Sequence, residues 1–112
     1  MTANECITGR RSIRKFTEQP VSHELIQKIV ETASFAPSWK NTQITRYIAV
    51  EGEAKKALAE CTSIYPGNGA IMEQAPMVIA VTIITGRSGF ERDGSFSTPK
   101  GTGWQMYDAG VA

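Results

Sequence analysis

Apolar residues fall into two rhythms along this chain, and each rhythm marks a different kind of element. Leu25, Ile26, Ile29, Val30 and Ala33 recur at helical spacing, so residues 22–35 are predicted to form an amphipathic helix. Ser22 stands where an N-cap oxygen is needed, and Glu24 sets negative charge against the positive end of the helix dipole. Pro20 breaks the chain before this helix and Pro37 closes it behind. A shorter helix is predicted over residues 4–8, stopped by Gly9, and a second over 53–61, with Ala54, Ala57, Leu58 and Cys61 on one stripe. Strands are predicted at 44–50, where Tyr47, Ile48 and Val50 supply β-favouring bulk, and at 77–85. The second run is almost wholly apolar and β-branched, the pattern of a strand covered on both faces. Residues 65–69 (Tyr-Pro-Gly-Asn-Gly) read as a turn-rich linker, 86–103 as a polar, glycine-rich excursion open to movement, and 104–112 as a final helix.

Composition narrows the class. With 112 residues, 41% hydrophobic and 21% charged, the chain is expected to be one soluble domain with a modest core. A net charge of +1 argues against a general nucleic-acid binder, which meets the phosphate backbone with a broad basic surface. No stretch approaches the roughly 20 apolar residues of a membrane helix. Residues 1–5 lack the basic and apolar regions of a signal peptide, so a cytoplasmic location without membrane association is expected. Cys6 and Cys61 stand apart, with no Cys-x-x-Cys pair and no nearby histidine, so no metal site is expected. His23 is the sole histidine and sits at a helix start, which leaves no convincing triad.

The chemistry concentrates at two places. Arg10-Arg11-Ser12-Ile13-Arg14 gathers three guanidinium groups and a hydroxyl, a set of donors suited to phosphate oxygens; the plainer reading is a solvated basic surface. The loop Ala36-Pro37-Ser38-Trp39-Lys40-Asn41-Thr42-Gln43 surrounds one large aromatic with hydrogen-bonding side chains. For Trp39 the plainer reading is an interface aromatic. Two glycine patterns fail as nucleotide loops. Gly101-Thr102-Gly103 lacks the third glycine of a dinucleotide fingerprint, and Pro99-Lys100-Gly101-Thr102 has the wrong order for a P-loop.

The arginine segment with Lys15-Phe16, a proline and helix, and then the 36–43 loop, resembles the N-terminal half of the FMN-dependent nitroreductase family. The resemblance continues through the strand at Tyr47 and the Gln74-Ala75-Pro76 entry to the second strand. It implies an α+β fold with a central mixed or antiparallel sheet sandwiched by helices, in an intertwined homodimer. On that basis residues 1–112 are the N-terminal portion of a single nitroreductase-like domain that runs on past Ala112, so the chain reads as truncated. The resemblance assigns Arg10, Arg11, Ser12 and Arg14 to the FMN phosphate and ribityl chain. It assigns Pro37, Ser38, Trp39, Asn41 and Gln43 to a loop reaching the flavin bound mainly by the partner subunit, and Asn68 to the neighbourhood of the flavin ring. Where some relatives carry a lysine near the pyrimidine edge, this chain has Ile71. The implied activity is ping-pong hydride transfer from NADH or NADPH through FMN to nitroaromatics, quinones or similar small acceptors, with no catalytic side chain. Two alternatives stand beside it: a flavin-binding or flavin-processing protein of the same fold without NAD(P)H turnover, and a phosphate or nucleic-acid binding module built on the arginine cluster.

Overall fold

The computed structural model describes residues 1–62 and 65–112. The chain folds as two compact units, one of Met1–Pro20 with Glu51–Pro76 and one of Val21–Val50 with Met77–Ala112.

The first unit holds three helices. Helix α1 (Ala3–Gly9) opens with a capping box: the Thr2 hydroxyl accepts from the Glu5 backbone N–H, and the Glu5 carboxylate accepts from the Thr2 N–H at 2.6 Å. Helix α3 (Gly52–Glu60) packs on α4 (Pro66–Gln74). The 65–69 stretch is therefore the entrance to a helix and not a linker. Proline suits a first helical turn because its missing N–H would find no partner there. Gly69 lets the two helices approach closely, since a side chain at that position would meet the Ala59 carbonyl at 3.1 Å. Lys55 Nζ donates to the Glu73 carbonyl at 2.9 Å and to the Ala75 carbonyl, satisfying acceptors that the end of α4 leaves open. Ala59 and Ala75 are the buried apolar residues of this unit among those described.

In the second unit, helix α2 (His23–Ala33) starts as predicted, with the Ser22 hydroxyl accepting from the Leu25 N–H at 3.2 Å. It ends two residues earlier than predicted, in a turn through Ser34 and Phe35. A short 3₁₀ turn at Trp39–Asn41 leads to β1 (Thr45–Val50), which pairs antiparallel with β2 (Val78–Ile83) from Thr45↔Ile83 to Val50↔Val78. Ile44, fully buried, extends the ladder by accepting from the Ile84 N–H. Burial alternates from Val78 to Val81, and Val81 remains 49% exposed, so the expected cover on both faces is not present among the described residues. An unbroken apolar run reports bulk, not which side is covered. Helix α5 (Gly103–Val111) packs against β2.

The glycine-rich 86–103 segment is cross-braced where an open excursion was expected. Phe90 and Phe96 form an isolated bridge with their rings 5.1 Å apart, and the Asp93 carboxylate accepts from both Ser95 N–H and Ser95 hydroxyl. Gly89 adopts a left-handed φ of 85° and lies so close to the Gly101 carbonyl that a Cβ would come within 2.5 Å. Trp104 donates from Nε1 to the Thr98 hydroxyl at 2.8 Å, and Gln105 Oε1 accepts from the Gly86 N–H.

Candidate functional site

In the first unit, residues 10–16 follow α1 without regular secondary structure, because Arg10 does not continue the helix. Arg10, Arg11, Ser12 and Arg14 are all exposed. Arg11 donates to the Thr8 and Arg10 carbonyls at 3.0 and 2.9 Å, and Arg14 to the Ser12 carbonyl at 3.4 Å. These are bonds to neighbouring backbone, and no carboxylate pairs with any of the three arginines among the described residues. Gln74 grips the segment from α4: its Oε1 accepts from the Phe16 N–H at 3.3 Å and its Nε2 donates to the Arg14 carbonyl at 3.1 Å. Asn68 is exposed on the first turn of α4, with Ile71 half-buried on the next. No hydrogen bond joins Asn68 to the arginine segment among the described residues.

The 37–43 loop belongs to the second unit and is built in the opposite manner. Lys40, Asn41 and Gln43 all take left-handed backbone, with φ of 44°, 54° and 48°. Non-glycine residues rarely sit there unless surrounding contacts hold them. The holding contacts are several. Ser38 Oγ accepts from the Gln43 N–H at 2.9 Å, and Gln43 Nε2 donates to Asn41 Oδ1 at 3.2 Å. Arg46 donates from Nη1 to the Gln43 and Thr45 carbonyls, each at 2.8 Å. From α5, Asp108 Oδ1 accepts from the Trp39 N–H at 2.9 Å, while the Trp104 ring lies 6.1 Å from that of Trp39. Lys40 Nζ sits 4.6 Å over the Trp39 ring and 3.3 Å from Glu91 Oε1. The loop borders a cavity of about 540 Å³ whose lining includes Ser38, Gln43, Tyr47 and Asp108.

Two residues that organise these segments escaped the sequence reading. Gln74 was visible only as part of the Gln-Ala-Pro entry to β2, and Asp108 only as the lone charge in an apolar terminal helix. That lone charge is the signal that would have found it, because an unpaired carboxylate does not enter an apolar helix without a donor waiting. Among the described residues no acidic, histidine or cysteine cluster can hold a metal, and no helix is long and apolar enough to cross a membrane.

The sequence model of the nitroreductase family matches residues 7–112, which takes in the arginine segment, the Trp39 loop, both strands and α5. The chain belongs to the nitroreductase family. Nitrobenzene nitroreductase of Ectopseudomonas oleovorans is 40% identical over 55 residues, covering 49% of this chain and 24% of that protein. The FMN reductase [NAD(P)H] of Bacillus subtilis is 35% identical over 74 residues, covering 65% of this chain and 28% of its own. A nitroreductase family protein from Clostridium novyi NT superposes with a TM-score of 0.76 at 26% identity, over 99% of this chain and 59% of that one. The chain therefore has the α+β nitroreductase fold and spans about a quarter of the length of these two curated relatives.

Proposed function

We propose that the protein is an FMN-dependent NAD(P)H oxidoreductase working as a cytoplasmic homodimer, with residues 1–112 as the N-terminal portion of one nitroreductase-like domain. The observation that carries this reading is the Arg10 guanidinium, exposed and without a protein partner among the described residues, beside Ser12 and Arg14. A guanidinium whose donors are all free matches a phosphate in bidentate fashion, and a serine hydroxyl donates to a further oxygen. Among the described residues Arg11 and Arg14 spend donors only on nearby backbone carbonyls and retain others for a ligand. The donor set thus fits the phosphate and ribityl hydroxyls of FMN, the group named in the Bacillus subtilis relative.

Pro37, Ser38, Trp39, Asn41 and Gln43 would meet the flavin held mainly by the partner subunit, with Asn68 near the ring. Ile71 leaves one ring edge without the cation that favours negative charge on a reduced flavin. Bound FMN supplies hydride acceptance from NADH or NADPH and, in a ping-pong cycle, electron return to nitroaromatics, quinones or similar small acceptors. The chain's own part is to bind, orient and tune electrostatically, with no side chain acting as acid or base.

The test is a visible spectrum of the purified protein followed by anaerobic mixing with NADH or NADPH. The oxidised-flavin absorbance should be present and should bleach on donor addition. A colourless protein that gains no flavin absorbance from added FMN overturns the reading. Bound flavin that no nicotinamide donor bleaches leaves a flavin-binding protein without turnover.

A further inference from the structure

The three left-handed residues of the Trp39 loop make its conformation uphill, so something outside the loop must decide where it sits. Most of its ties cannot do so. The Ser38–Gln43 and Gln43–Asn41 bonds lie within the loop and move with it, and the bond to the Gln43 carbonyl from Arg46 comes from an exposed side chain only three residues on. The Lys40–Glu91 pair joins two exposed side chains, and such pairs hold weakly. Asp108 differs: it is 1% exposed, it stands on α5, and it accepts the Trp39 N–H at 2.9 Å across 69 positions of sequence. Trp104, four residues earlier on the same helix face, meets the Trp39 ring and is itself fixed through Thr98. One face of one helix therefore holds Trp39 twice, by its backbone and by its ring.

Asp108 is also a poor choice if stability were the whole of its purpose. Its Oδ2 is buried with no hydrogen-bond partner among the described residues. A neutral acceptor would serve the Trp39 N–H without leaving a carboxylate oxygen bare, and a buried bare oxygen is costly. Destabilising arrangements of this kind are retained where they fix a functional geometry.

We propose that Asp108 is a positioning residue of the flavin site: by fixing the Trp39 backbone it sets the left-handed turn, so that Ser38, Asn41 and Gln43 are presented in one conformation before flavin binds. This rests on the reading of the 37–43 loop given above. Preorganisation of this sort removes the ordering cost that binding would otherwise carry.

The test compares Asp108→Ala and Asp108→Asn in the flavin-loaded protein. Asparagine keeps an acceptor for Trp39 and puts an amide where the bare oxygen stood; alanine keeps neither. Alanine should speed hydrogen exchange of the Trp39 amide by about tenfold or more and weaken FMN affinity by a similar factor, as loss of a charge-assisted bond does. The Ile84 amide, bonded to the Ile44 carbonyl, is the internal control. Asparagine should stay within about threefold of wild type in both measurements, a rescue that bulk loss of structure would not give. Unchanged Trp39 exchange in the alanine variant overturns the tether while leaving the flavin reading, tested by donor bleaching, untouched. Faster exchange with unchanged FMN affinity overturns the positioning role and removes the loop from the flavin site. If the alanine variant does not fold, the asparagine variant still decides: with a charged acceptor replaced by a neutral one, the Trp39 amide proton should show the largest upfield shift of any backbone amide. A Trp39 resonance that stays in place overturns the proposal.

Discussion

Arg10, Arg11, Ser12 and Arg14 lie exposed outside any helix or strand, whereas Ser38 to Gln43 are wound into a left-handed turn and tied to a buried carboxylate, the Trp104 ring and an arginine. On the proposed function the two segments would face the same demand, to hold polar donors ready for a ligand, and they meet it by different physics. Charge acts at a distance and tolerates a soft scaffold, so the arginine segment needs little more than the grip of Gln74 on Phe16 and Arg14. Neutral hydrogen-bonding groups act only at contact, so the loop that carries them has to be placed accurately. The contrast is between an exposed segment held by one side chain and a loop ordered by several.

The contrast can be broken most severely at Gly89, which supports the segment bracing Trp104. Alanine there would face the Gly101 carbonyl in a left-handed backbone and should destabilise the protein by about 2–4 kcal/mol in chemical denaturation. A loss below about 1 kcal/mol would mean that the brace is slack.

Arg10→Ala probes the other half. It should weaken FMN by about 1.5–3 kcal/mol while shifting unfolding stability by no more than about 0.5 kcal/mol, because the side chain is exposed and makes no hydrogen bond or ion pair among the described residues. Equal losses in both quantities would abolish the distinction between a soft clamp and a structural element.

Trp39→Ala should cost about 1 kcal/mol of stability through the lost ring pair with Trp104, and should alter dimer stability or acceptor preference more than FMN retention. Loss of FMN equal to that of Arg10→Ala would undo the division of labour between the segments.

The smallest effect is at the start of α1, just before the arginine segment. The Thr2 backbone N–H, and after it the Thr2 side chain, hold the Glu5 carboxyl below its ordinary value. A depressed folded-state value means the contribution is complete above the unfolded value and disappears as pH falls through the folded one. Acid titration should therefore release the Cys6 amide, which bonds the Thr2 carbonyl, and Glu5→Gln should remove that pH dependence. A Cys6 amide indifferent to acid would show that the cap does not secure the helix leading into the clamp.

Much of the framework was legible because its causes are local. Ser22 caps α2 through a bond three residues away, and Tyr47 to Val50 choose a strand by their own bulk. Pro66, Gly67 and Gly69 misled because the residues that make turns also begin helices and let them cross closely; Gly69 serves the second purpose against Ala59. The 86–103 segment misled for a related reason. Its glycines read as slack until Trp104 is seen against Gly89 and Phe96 against Gly101. Of the candidate site, the donors themselves were readable, but the groups that place them were not.

The sequence alone settled the caps, the helical and strand periods, the concentration of anion-binding groups at residues 10–14, and enough motif spacing to point to the family. Only the tertiary structure decided that Gln74 holds the arginine segment and that Asp108 holds Trp39, bonds spanning 58 to 69 positions. A helix cap lies within reach of the chain's own next turn and is written in adjacent letters. A donor and acceptor that far apart meet only after folding has spent the entropy of closing the loop between them, and no local pattern records which pair will meet.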